Sequence, residues 1–214
     1  MAQLPPSTVP RYHFGFVAAS LRPELARIVA EIYIKEGSWA GAKARVLASN
    51  ALQCRTPSSA GRMEREIRLR LCTLTPDQIA RLAVAAAPDR AALSWLAAFK
   101  HSAFLFDFAA DVLRDKVSSL DFVLRNSDYE TFVDNRAAAH PEVAQLRESS
   151  RKKIRQVLMN MLVEAGLIVG NGKTTLVQRP PLSHAVRDQI VADDPNWLAG
   201  FLYTDAEIGE LRCR

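Results

Sequence analysis

Between Ser149 and Arg179 the chain reads SSRKKIRQVLMNMLVEAGLIVGNGKTTLVQR, an amphipathic run stopped by a glycine and followed at once by a hairpin pattern. No other stretch limits the fold so strongly. Ile154, Val157, Leu158, Met161, Leu162 and Ala165 recur at helical spacing and form one apolar stripe. That side has to be buried against other elements. The opposite side carries Ser149, Lys152, Lys153, Gln156 and Asn160, with Arg155 on its flank. Gly166 stops the helix. Leu167 to Val169 then read as a strand, Gly170-Asn171-Gly172 as a turn, and Thr174 to Gln178 as the returning strand.

The polar side has the composition of a helix that lies on DNA: cations for phosphates, amides for base edges, apolar anchors behind. In this reading Arg151, Lys152, Lys153 and Arg155 hold phosphates, Gln156 and Asn160 approach base edges, and Ser149 belongs to the same DNA-binding face. Lys173, beside the turn, and Arg179, at the far end of the hairpin, grip the flanking backbone. A helix over Asp128–Ala139, a short one over Pro141–Leu146 and the long one over Ser150–Ala165 give the succession a helix-turn-helix requires. The hairpin supplies the outline of a wing. The alternatives are a solvated basic face and a surface that docks on an acidic protein.

A second basic element spans Ser58 to Arg70. Arg62 and Arg65 point away from the Met63/Ile67/Leu71 stripe, and Arg68 lies at its edge. With the helix that starts at Trp39 it makes a candidate helix-turn-helix over residues 38–72. Glu64 and Glu66 dilute the signal, because i,i+4 partners such as Glu64 and Arg68 neutralise one another. A structural or subunit contact is the competing reading.

The remaining pattern is helical. Helices are expected over Pro23–Glu36, from Trp39 to about Ala48, from Ser58 or Ser59 to Leu71, from Thr75-Pro76, from Pro88-Asp89, through Phe104–Lys116, near Leu182–Val191 and near Asn196–Leu202. Only 9 of 214 residues are Gly, which argues against an all-β chain. The expected fold is mainly α: a compact multi-helix protein with one small β-hairpin in a winged helix-turn-helix-like C-terminal part. Its expected organisation is a tail over 1–10, a helical bundle over 11–120 and the winged part over 121–214.

The net charge of +5 is unevenly spread. Residues 51–100 carry 8 basic and 4 acidic groups, residues 101–146 reverse this with 4 and 8, and residues 147–180 hold 7 and 2. Such sorting suits an anionic partner better than a merely solubilising surface does. Cys54, Cys72 and Cys213 show no metal or redox spacing, which suggests a reducing cytoplasm. His13, His101, His140 and His184 are too far apart in sequence to suggest a metal site. Asp107, Asp111 and Asp115 form an acidic ridge with no evident basic partner, and Trp95, Phe99, Phe104, Phe106 and Phe108 read as core. The apolar region Ala91–Leu113 is interrupted by Lys100, His101, Asp107 and Asp111, so it is not expected to span lipid. No phosphate-binding glycine loop, nucleophile elbow or His-Glu metal pair is present. A non-enzymatic protein without metal or cofactor is therefore expected.

Three blocks, Gly37–Leu71, Trp95–Lys116 and Ser127–Ile168, resemble in order those of the BrxA family of BREX (bacteriophage exclusion) systems. The resemblance implies a mostly helical protein with a NusB-like core, double-stranded DNA binding, and service in phage defence beside other BREX proteins. It also admits two alternatives, a protein–protein scaffold and an RNA-binding protein of NusB type. An inner-membrane label attached to the family conflicts with the charges in Ala91–Leu113.

Overall fold

The computed structural model describes residues 11–170 and 174–212. The expected tail over 1–10, the turn residues Asn171 and Gly172, Lys173 and Cys213 lie outside the described residues. Most of the described chain is helical, in the order α1 (Pro23–Glu36), α2 (Trp39–Ala48), α3 (Pro57–Leu71), α4 (Pro76–Val84), α5 (Ala87–His101), α6 (Ala103–Asp107) and α7 (Arg114–Ser118). After strand β1 (Val123–Leu124) come α8 (Asn126–Ala137), α9 (Pro141–Ala144) and α10 (Glu148–Glu164). Strands β2 (Ile168–Gly170) and β3 (Thr175–Val177), then α11 (His184–Asp193) and α12 (Asp205–Arg212), complete it.

The N-terminal helices start and stop where their caps dictate. Ser38 accepts from the Gly41 amide, and Thr75 shares a capping box with Gln78. α3 begins earlier than expected. Thr56, not Ser58 or Ser59, is the cap, Pro57 takes the first helical position, and the Ser59 hydroxyl completes the box. α1 packs against α2, α3, α4 and α5, and α11 returns to α4 and α5. One hydrophobic core runs from Tyr12 to Ile208. Trp95, Phe99, Phe104 and Phe108 are fully buried within it, as the sequence suggested, while Phe106 packs at its margin.

Four elements differ from expectation, and α12 is one of them, since the last expected helix ends near Leu202. The helix through Phe104–Lys116 carries a π-helical segment over Phe108–Leu113, where one extra residue per turn shifts the register between α6 and α7. The segment near Asn196–Leu202 is a 3-10 helix over Pro195–Phe201. The hairpin is not alone: β1 pairs antiparallel with β3, and the sheet order is β1-β3-β2. With only two residues, β1 is too short to show alternation in the sequence. The acidic ridge also has a partner, since Arg136 of α8 pairs with Asp111 and approaches Asp107 at 3.8 Å.

A helix terminus sets the angle between α10 and the hairpin. The Leu167 amide donates to Leu162 O at 2.9 Å and the Gly166 amide to Val163 O at 3.0 Å. This Schellman closure places Gly166 at φ +73, a left-handed conformation that a Cβ disfavours. The Gln178 amide donates to Leu167 O at 2.9 Å and locks the base of the hairpin to the helix end. Gly166→Ala should therefore cost about 1–2 kcal/mol of stability. Thermal unfolding should show a lower midpoint, and an unchanged midpoint would remove the argument from strain.

Candidate nucleic-acid interface

α10 is held from behind. Ile154, Val157, Leu158, Met161 and Leu162 are buried, so the apolar stripe is the side that enters the core. Tyr129 of α8 donates its hydroxyl to Arg151 O at 3.2 Å and fixes the start of α10 against its neighbour. At the other end Glu164 accepts from the Leu21 amide at 2.7 Å. A helix pinned at both ends presents its outer side in one orientation.

That outer side carries most of the residues the helical wheel assigned to it. Ser149, Lys152, Lys153, Gln156 and Asn160 are exposed, and Arg155 is half-buried on the flank. Among the described residues Lys153 reaches only the Gln156 amide oxygen, at 3.4 Å. Lys152 pairs with Glu148 at 2.6 Å, with both side chains largely in water. The Lys152 ammonium draws the Glu148 carboxyl below its ordinary range. An exposed i,i+4 pair of this kind contributes about 0–1 kcal/mol, so a phosphate can displace Glu148 at small cost.

Two of the expected phosphate-binding residues are engaged inside the chain. Arg151 is held by Asp134 of α8 at 3.1 Å. Arg179 makes a two-pronged pair with Glu207, at 2.6 and 2.9 Å, donates to Leu202 O and lies over the Tyr203 ring. Its guanidinium draws the Glu207 carboxyl down to about 2. Arg179 therefore ties the end of the hairpin to α12 instead of gripping a flanking backbone.

Other cations were overlooked in the sequence. Arg147, the N-cap of α10, is exposed and has no carboxylate partner among the described residues. It lies two residues ahead of the first position placed on the wheel, and for that reason was not assigned a role. Arg125, ahead of α8, lines a groove with Arg155, Gln156, Asn160, Gly170 and Thr175, between α10 and the sheet. Asp121 holds the Arg125 guanidinium at 2.7 Å.

The second basic element is divided. Arg62 and Arg65 are exposed on α3 with no ion pair among the described residues. Arg68 is bound by Glu64, which is buried, at 2.7 Å. The Glu64–Arg68 neutralisation anticipated from spacing thus forms, and Arg68 is withdrawn from any partner. No helix among the described residues is long and apolar enough to cross a membrane.

The family model BrxA matches residues 10–194. The BREX protein BrxA of Escherichia coli O9:H4 (strain HS) is 29% identical over 143 residues, 67% of each chain. The BREX protein BrxA of Paramagnetospirillum magneticum is 26% identical over 162 residues, 74% of this chain and 80% of the relative. That of Bacillus cereus (strain H3081.97) is 23% identical over 168 residues, 78% of this chain and 82% of the relative. The crystal structure of an uncharacterized protein from Magnetospirillum magneticum has the same fold. Its TM-score is 0.77 over 90% of this chain and 98% of that one, at 22% identity.

Proposed function

The chain belongs to the BrxA family, and on that premise we propose that it serves a BREX system as a double-stranded DNA-binding component without catalysis of its own. One observation carries the reading. Arg147, Lys153 and Arg155 have no carboxylate partner among the described residues; Lys153 and Arg155 border the two edges of the exposed face that Lys152, Gln156 and Asn160 form, Arg147 precedes its first turn, and the opposite side of the same helix is fixed in the core. Lys152 joins them once Glu148 is displaced. The connectivity supports a winged helix: α8, α9 and α10 are followed by a hairpin whose returning strand pairs with β1. In that arrangement α10 enters the major groove and the hairpin lies along the backbone.

A titration with a labelled duplex of random sequence tests this. If about six phosphates are neutralised, log affinity against log salt should fall with a slope near −5. No retention at micromolar protein and low salt would overturn the reading. A competing structured RNA that displaces the duplex at equal concentration would move the proposal to RNA.

A scaffold role has one observation in its favour. Phe122, Val169 and Leu176 are 42%, 43% and 40% exposed, and Val169 and Leu176 are paired on the outer side of the sheet. Another BREX protein that covers this side would bury them.

A further inference from the structure

A second cavity, remote in sequence from α10, combines features that select a ligand. It has a volume of about 470 Å³ and opens between the segment that holds His13 and Phe14, the outer side of α3, and His101 at the end of α5. That size is within the range of about 300–1,000 Å³ typical of small-molecule sites. Three kinds of wall meet there. Arg62 and Arg65, one helical turn apart, bring two guanidinium groups that no carboxylate of the described residues pairs with. His13, Phe14 and His101 bring flat rings. Glu66 brings a carboxylate that is only 6% exposed.

Glu66 is the informative member. Its Oε1 accepts from Arg70 Nε at 3.0 Å, while Oε2 has no hydrogen-bond partner among the described residues. A carboxylate only accepts, and this oxygen, on a side chain that lines the cavity, is not sealed from solvent, so an N–H group of a ligand can reach it. Gly15 leaves room for it, since a Cβ there would lie 2.8 Å from Oε2. The cavity therefore asks for a ligand with an N–H edge for Glu66, a flat ring for its walls and negative charge for the two arginines.

We propose that this cavity binds a nucleoside phosphate, with the base edge donating to Glu66 Oε2 and the phosphate on Arg62 and Arg65. Every base has a π-face, so stacking on aromatic side chains tolerates any base. The paired guanidiniums match phosphate geometry. Free mononucleotides and the phosphorylated end of a nucleic-acid strand both offer this chemistry. The site does not depend on α10 and stands or falls apart from the duplex binding proposed above.

Titration calorimetry on the full chain tests the proposal with nucleoside 5′-monophosphates, a 5′-phosphorylated oligonucleotide, the bare nucleosides and inorganic phosphate. Saturable mononucleotide binding is expected, at least tenfold weaker in R62A/R65A and unchanged in K153A/R155A. Binding of the phosphorylated oligonucleotide alone, with the same dependence on Arg62 and Arg65, assigns the site to strand ends and supports it equally. Glu66→Gln should weaken mononucleotides while leaving inorganic phosphate unaffected, and circular dichroism establishes that this variant is folded. If it is not, the comparison of nucleotides with bare nucleosides and phosphate decides alone. Equal binding by wild type and R62A/R65A, phosphate binding as tight as nucleotide binding, or no binding of any probe overturns the proposal.

Discussion

Replacing Lys152, Lys153 and Arg155 together by alanine should weaken duplex binding on the order of a hundred- to a thousandfold near 0.1 M salt and flatten the log–log salt slope by about two to three. The reasoning starts from what each cation already touches. Lys153 and Arg155 have no ion pair among the described residues, so each is available to a phosphate. Lys152 has only the exposed Glu148 to give up. A phosphate deprived of its protein cation keeps its condensed counterion, and near 0.1 M salt that is close to a tenfold effect. The loss should be the same for every duplex sequence, because phosphates carry no sequence information. Arg179→Ala should behave differently. Its guanidinium is held by Glu207 and Leu202 O, so the slope should stay and only stability should fall. Gln156→Ala and Asn160→Ala should change preference among sequences and leave the slope alone. Unchanged affinity of a folded triple variant would remove α10 from the interface.

The residues that made this legible in the sequence share one property: their role follows from local spacing. The stripe from Ile154 to Leu162 and the stop at Gly166 are both periodic or conformational signals, and the structure has them in place. The Thr75-Pro76 and Ser38 starts are equally local. What escaped notice depends on distant partners or on very short elements. β1 acquires its identity from β3, across some fifty residues. Arg179 reads as a free cation until α12 brings Glu207 to it. α12 itself could have been found, because Thr204 and Glu207 form a capping box of the usual Thr-x-x-Glu kind. Glu66 gave no hint of a cavity, since its burial comes from the segment around Gly15.

Arg70→Ala should lose about 3–5 kcal/mol of stability, the range expected when one member of a buried pair is removed. Arg70 is 3% exposed on the inner side of α3. Its Nε donates to Glu66 at 3.0 Å, and Nη1 and Nη2 donate to Ser20 O and Ala19 O at 2.9 and 2.7 Å. Burial lowers the guanidinium pKa, while Glu66 and Glu164 raise it again. The same short segment is gripped from the other side, where the Leu21 amide donates to Glu164 of α10. Arg70 thus joins α3 to the strap on which the rear of α10 is anchored. Truncation would strand the Glu66 charge and free two carbonyl groups in the interior. At about 2–4 °C per kcal/mol for a chain of this size, the unfolding midpoint should drop by roughly 6–20 °C. A pair of substitutions separates the buried charge from simple loss of volume. Glu66→Leu with Arg70→Met removes both charges and keeps apolar bulk, so it should be more stable than Arg70→Ala. If Arg70→Ala melts within a degree of the wild type, or if the double variant is worse than the single one, the charge pair is not what holds this junction.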